Sequence, residues 1–153
     1  MPRTVKFRAR AHEDMSDLAD LWVASWREAM PDIDFSERRS WLCEHLRVLE
    51  AAGAATICAF DGEGRLTGFI TVDPERGYID QLAVAPRAKG AGAAALLLGE
   101  ARRLSPVGLV LDVNQDNLRA LRFYEREGFE KLEAGVNPQS GLKTWRLRFS
   151  KNT

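Results

Sequence analysis

The chain has 153 residues, 45% of them hydrophobic, which suffices for one domain with a substantial core. Its 22 Lys+Arg and 22 Asp+Glu give a formal net charge of +0, which excludes bulk electrostatic attraction to nucleic acid or an acidic membrane surface. We expect one domain over residues 1–153, with no nucleic-acid partner and no membrane partner.

Val5, Phe7 and Ala9 alternate with Lys6, Arg8 and Arg10, predicting a half-buried opening strand. Met1 to Arg10 carries charges and no apolar run, so no signal peptide is expected. Asp14 or Ser16 is the expected cap of a first helix with the stripe Met15, Leu18, Leu21, Trp22, Ser25 and Met30, stopped by Pro31. Ser36 with Glu37 is expected to start a second helix carrying Trp41, Leu42, His45, Leu46 and Leu49, which ends near Gly53. Ala55–Phe60 and Leu66–Val72 read as strands joined by the turn Asp61-Gly62-Glu63-Gly64, and Tyr78–Ala85 follows a second turn. A small-residue helix over Gly92–Leu104, a buried strand over Leu109–Val113 and a helix over Asn117–Arg126 come next, with Gly128 as the C-terminal cap of the last. Phe129–Glu133 and Leu142–Phe149 close the chain as strands.

The tail cations Arg146, Arg148 and Lys151 alternate with Trp145, Leu147 and Phe149, as the solvent face of a strand does. The longest apolar stretch, Ala91 to Leu98, is too short to span a bilayer. Cys43 and Cys58 lack metal-ligand or Cys-x-x-Cys spacing and read as buried thiols in a reducing cytoplasm, a catalytic thiol being the alternative. His12 and His45 have no partners at metal-ligand spacing, so neither is assigned a role and no metal is expected.

Two stretches carry chemistry together. The strand ending Val84-Ala85-Pro86 opens into Lys89-Gly90-Ala91-Gly92-Ala93-Ala94 and then a helix. Such a turn aims backbone N–H groups and the positive end of a helix dipole at one anion. Glycines 90 and 92 let the backbone approach phosphate oxygens, with N–H donors from Gly90 to Ala94, and Lys89 adds a point charge that Arg87 is able to share. The alternative is a tight turn before a packing helix. The second stretch, Asn117, Ala120, Phe123, Tyr124, Gly128 and Phe129, runs through the next helix.

Those residues resemble the GNAT superfamily of acyl-CoA-dependent N-acetyltransferases over essentially the whole chain. The family signature Arg/Gln-x-x-Gly-x-Gly/Ala fits Lys89–Ala94, with Lys in place of Arg or Gln, or alternatively Arg87–Gly92. The Lys89 frame is preferred for its spacing from Val84-x-Pro86. The motif Asn-x-x-Ala-x-x-(Phe/Leu)-Tyr-x-x-x-Gly-Phe is matched from Asn117 to Phe129. The resemblance implies an α/β (α+β) fold: a mixed, mostly antiparallel sheet of about six to seven strands flanked by about four helices, splayed between the fourth and fifth strands. It implies acetyl-CoA as co-substrate, bound by Leu82, Ala83, Val84, Lys89, Gly90, Ala91, Gly92, Ala93, Ala94, Asn117 and Tyr124. Pantetheine would pair with the Leu82–Val84 backbone, and the Tyr124 hydroxyl would sit near the thioester sulfur as general acid. Asn117 is also suited to capping its own helix.

An amine must lose a proton before it attacks, and Asp80 and Asp112 are the candidate bases, directly or through water. Burial is expected to favour Asp112, in a strand covered on both faces, and access to favour Asp80. Trp22, Trp26, Asp32 and Asp34 are expected to edge the acceptor pocket. The expectation is a cytoplasmic enzyme, monomer or homodimer, acetylating a primary amine of a small molecule. The alternatives are a protein N-terminus or lysine as acceptor, and a non-catalytic acyl-CoA-binding module.

Overall fold

The computed structural model describes residues 5–90 and 92–150. Alternating residues make β1 (Lys6–Ala9), and a 3-10 turn leads into α1 (Met15–Ala29). Asp14 accepts from the Ala11 backbone N–H at 2.8 Å, so it braces the turn before the helix and does not cap the helix with its side chain. The helix α2 (Arg39–Ala51) likewise begins later than its sequence suggests, behind a 3-10 turn over Phe35–Arg38. Asp34, not Ser36, caps that turn: its carboxylate accepts from the Ser36 N–H, and a carboxylate suits the positive end of the backbone dipole.

The strands β2 (Ala55–Phe60), β3 (Leu66–Asp73) and β4 (Tyr78–Val84) meander, followed by α3 (Ala93–Leu104), β5 (Gly108–Asn114), α4 (Leu118–Arg126), β6 (Glu130–Val136) and β7 (Lys143–Ser150). They form one seven-stranded sheet in the order β1-β2-β3-β4-β5-β7-β6, antiparallel except between β4 and β5. Period-two alternation divides the core. Cys58 and Phe69 face α1 and α2, while Ile57, Ala59, Ile70 and Val72 face the α3 side. Leu18, Leu42 and Leu46 seal the first layer, and Leu97, Leu98 and Leu121 the second.

Two irregularities shape the middle of the sheet. Thr71 pairs with Gln81 and Val72 with Ile79, leaving Asp80 as an extra residue in β4, a bulge. Bulges bend a strand and redirect a side chain. The parallel contact between β4 and β5 consists of Tyr78 opposite Val110, with the Val110 N–H donating to the Gly77 carbonyl at 2.9 Å. Gly77 has φ +71, and a Cβ there would strike the Gly108 carbonyl oxygen, so glycine is required where the two strands touch. Beyond that point they part, as the resemblance implies, and no other ladder pair joins them among the described residues.

Candidate active site

The parting strands open a cleft that holds two adjoining cavities. The cavity on the α3 side, about 780 Å³, is lined by Leu82, Ala83, Val84, Lys89, Gly90, Gly92, Ala93, Ala94, Asn117 and Tyr124. These are the residues expected to hold the co-substrate, except Ala91, which lies outside the described residues. The second cavity, about 580 Å³, lies toward α2 and holds Asp80 and Asp112. Trp26, Leu82, Asn117, Ala120 and Tyr124 line both, so the two meet at the Tyr124 side chain.

Strand β4 pairs with β3 through Gly68–Val84, Phe69–Ala83 and Ile70–Leu82, while its β5-facing edge has no strand partner over those residues among the described ones. That edge suits an extended, amide-bearing ligand. At the far end of the cavity, Gly90 (φ +84) and Gly92 (φ +82) turn the chain into α3, whose N-terminus has no side-chain cap. Uncapped N–H groups at a helix start bind anions. The positive φ at residues 90 and 92 favours the Arg87 frame of the signature, because those are its two small positions. In the Lys89 frame the second small position falls on Ala94, inside the helix, where no glycine is needed.

The cations are arranged differently from expectation. Lys89 Nζ donates to Glu28 Oε1 at 2.7 Å, and Arg119 approaches the same oxygen at 3.5 Å. The Lys89 hydrogen bond holds the Glu28 carboxyl below the usual range. Lys89 lines the cavity through this pairing, while Arg87 faces away and donates to the Leu66 carbonyl at 2.6 Å.

Tyr124 is 8% exposed, packed edge-on against Phe123 and Phe129 on the inner face of α4. Burial pushes its hydroxyl well above the ordinary phenol value, so it is a proton donor throughout the neutral range. Asn117 Oδ1 accepts from the Ala120 N–H at 3.2 Å, which establishes the capping role.

The two aspartates differ in the sense opposite to the expectation from burial. Asp112 lies on the exposed side of β5, because its neighbours Leu111 and Val113 take the inward positions. Arg146 Nε and Nη2 donate to its two oxygens at 3.0 and 3.1 Å, and the Tyr78 hydroxyl donates at 2.9 Å. Its partial burial works to raise the carboxyl, but the Arg146 and Tyr78 hydrogen bonds outweigh that and hold it below the usual range. Asp80, on the bulge, has a different partner. His45 Nε2 lies 2.8 Å from Asp80 Oδ1, and Gln81 Nε2 donates to that same oxygen at 3.0 Å. Gln81 Oε1 accepts from the Trp22 indole at 3.0 Å. His45 stacks on Trp41 with ring centroids 4.5 Å apart and lines the second cavity.

His45 is therefore a site residue that metal-ligand spacing could not reveal; the available signal was a histidine on an otherwise apolar inner stripe, one turn after Trp41. Of the expected pocket edge, Trp26 lines both cavities, whereas Trp22 is core and Asp34 is the cap already described. Asp32 is not among the lining residues. Cys58 is buried, and burial pushes its thiol up to about 12, which makes it a poor nucleophile. Among the described residues, no helix is long and apolar enough to cross a membrane, and no group of three or more His, Cys, Asp or Glu is placed to hold a metal.

The splayed strands, the glycine turn into an uncapped helix and the tyrosine at the waist of the cleft define an acyl-transfer architecture. The chain belongs to the Acetyltransferase (GNAT) family, whose family model matches residues 15–129, and it is an N-acetyltransferase. It is 23% identical to the peptidyl-lysine N-acetyltransferase YiaC of Escherichia coli K12, over 90% of this chain and 92% of that one. Its fold is similar to that of the PaiA N-acetyltransferase of Thermoplasma acidophilum, solved in complex with coenzyme A (TM-score 0.79, 19% identity, 97% of this chain and 99% of that one). It is also similar to apo YjaB of Escherichia coli (TM-score 0.76, 24% identity, 95% and 97%).

Proposed function

We propose that this enzyme moves an acetyl group from acetyl-CoA directly to a primary amine of a small molecule. The observation that carries this reading is the pair of cavities meeting at Tyr124, one suited to each substrate. The N–H groups of the turn at Gly90 and Gly92 and the start of α3 would hold the pyrophosphate. The open edge of Leu82–Val84 would pair with the pantetheine arm, and the Asn117 side-chain NH₂, left over from capping, is a further donor in reach of that arm. When bound, acetyl-CoA supplies an acetyl group already activated as a thioester.

The chain's own residues then orient and move protons. A β4 backbone N–H near Leu82 polarises the carbonyl, as an oxyanion hole does. Tyr124 donates its hydroxyl proton to the departing sulfur. The amine loses its proton on the Asp80 side of the second cavity. Asp112, committed to Arg146 and Tyr78, is a weaker base than its strand position suggested, and serves to hold Arg146 and the cavity rim in place.

The walls of the second cavity come from α1, α2, α4, β4, β5, β6, β7 and the loop after β6, and its volume of about 580 Å³ accommodates a small amine. A lysine side chain of a protein is the second reading, favoured by the similarity to a peptidyl-lysine enzyme. Thiol release from acetyl-CoA, measured against primary amines, polyamines and lysine-containing peptides, tests both. Turnover of small amines with a lower KM than any peptide supports the first reading. Efficient turnover of peptides alone overturns it.

A further inference from the structure

Resting on that acetyl-transfer reading, we infer that His45 is the group that takes the proton from the acceptor amine, with Asp80 as its positioning partner. A carboxylate only accepts hydrogen bonds, so the 2.8 Å contact to Asp80 Oδ1 places the ring proton on His45 Nε2. Nδ1 then carries the lone pair. Imidazole is the side chain most often used as a general base, and the carboxylate oxygen beside it is already engaged by His45 and Gln81.

The surroundings hold this arrangement from two sides. The buried Trp22 indole donates to Gln81 (3.0 Å), and Gln81 donates to Asp80 (3.0 Å), so Asp80 Oδ1 is aimed from within the core. The bulge at Asp80 turns that carboxylate toward α2, and Trp41 supports the imidazole by stacking at 15° between planes. The other ionisable groups lining the cavity are Tyr78, Asp112, Tyr124, Glu133 and Arg146. Of these, Tyr78, Asp112 and Arg146 are joined to one another. On α2 itself Glu44 pairs with Arg47 and Arg39 with Asp20 of α1. Asp80 is thus the charge in direct contact with the ring.

The protons balance as follows. The ammonium acceptor has three N–H protons. One passes to His45 Nδ1 and on to solvent, freeing the lone pair that forms the N–C bond as the C–S bond breaks. A second leaves nitrogen as the Tyr124 proton reaches sulfur, and it restores the Tyr124 hydroxyl. The third stays on the amide.

The test uses the whole chain with His45→Gln, His45→Asn should the glutamine variant not fold, and Asp80→Asn. An NMR pH titration follows the His45 ring in the parent and in Asp80→Asn. Its midpoint is expected to move to lower pH in Asp80→Asn, because the carboxylate no longer stabilises the imidazolium; an unmoved midpoint overturns the pairing. Kinetics use acetyl-CoA at saturation with benzylamine, spermidine and Nα-acetyl-lysine amide as acceptor probes. His45→Gln is expected to lose the acidic limb of kcat/KM for the amine and about a hundred-fold or more in rate. Asp80→Asn is expected to keep that limb, displaced to lower pH. Loss of the limb in Asp80→Asn with its retention in His45→Gln would make Asp80 the base and overturn the inference. Failure of the parent to acetylate any probe would instead count against the proposed function, with the NMR arm still deciding the pairing.

Discussion

Tyr124 stays a hydroxyl because α4 presents it to the core, where burial disfavours the phenolate. Removing that hydroxyl isolates its chemistry, since the ring packing against Phe123 and Phe129 survives in Tyr124→Phe. We expect turnover to fall by about a hundred-fold or more, with the acetyl-CoA dissociation constant little changed. Single-turnover kinetics check this, and undiminished chemistry would remove Tyr124 from the mechanism. A second residue-scale effect concerns stability. Arg10 Nε and Nη2 donate to the two oxygens of Glu50, tying the end of β1 to α2. Burial works to raise the Glu50 carboxyl, but hydrogen bonds from Arg10 and Thr56 outweigh it and hold the group below its usual value. A carboxyl lowered on folding contributes stability above its unfolded value, about 4.3, and loses that contribution as pH falls through the folded value. Glu50→Gln should therefore cost about 1–3 kcal/mol near neutral pH, leaving the Arg10 charge uncompensated. Urea unfolding at a series of pH values should show the gap between parent and variant closing in acid. A gap independent of pH would mean that the carboxylate charge contributes nothing.

At the scale of elements, the decisive piece is the turn from Lys89 into α3. Gly92 stands at φ +82 with open space around it, so the position demands glycine for its backbone and not for lack of room. Gly92→Ala measures the strain alone, about 1 kcal/mol for a left-handed L-residue, while Gly92→Asp adds a negative charge where phosphate is expected. Acetyl-CoA titrations should show the aspartate variant binding at least ten-fold more weakly than the alanine variant; equal affinity would place the phosphates elsewhere. This element was legible in the sequence because its parts lie within a few residues of one another, as were the alternating strands and the helix stripes. The helix starts were less legible: Asp34 and Ser36 both suit a cap, and only the backbone path shows that the carboxylate takes the Ser36 N–H. Burial of Asp112 was misread for a related reason. Apolar neighbours at Leu111 and Val113 say that a strand is half buried, but not that its other face meets Arg146 of β7.

At the scale of the whole molecule, what escaped the sequence is what joins distant segments. His45 and Asp80 are separated by 35 positions, Asp112 and Arg146 by 34, and Lys89 and Glu28 by 61. No local period encodes such pairs; they exist because α1 and α2 cover one face of the sheet and β7 inserts between β5 and β6. The same topology leaves the sheet in two parts, β1–β4 and β5–β7–β6, whose ladders meet, among the described residues, at the pair Tyr78–Val110. A ligand lying along the open edge of β4, against α3 and α4, bridges both parts and binds only when they are assembled. Acetyl-CoA should therefore stabilise the fold by mass action, about 2.7 kcal/mol at a hundred times its dissociation constant. The stabilisation should also have a location. Hydrogen exchange should slow in the segment from Leu82 to Ala94 and at the start of α4, where N–H groups gain a partner. The β2–β3 ladder, already paired from Ala55–Val72 to Ala59–Gly68, should change only in step with global stability. Protection confined to β2 and β3, with none at Leu82–Ala94, would show that the stabilising ligand sits outside the cleft.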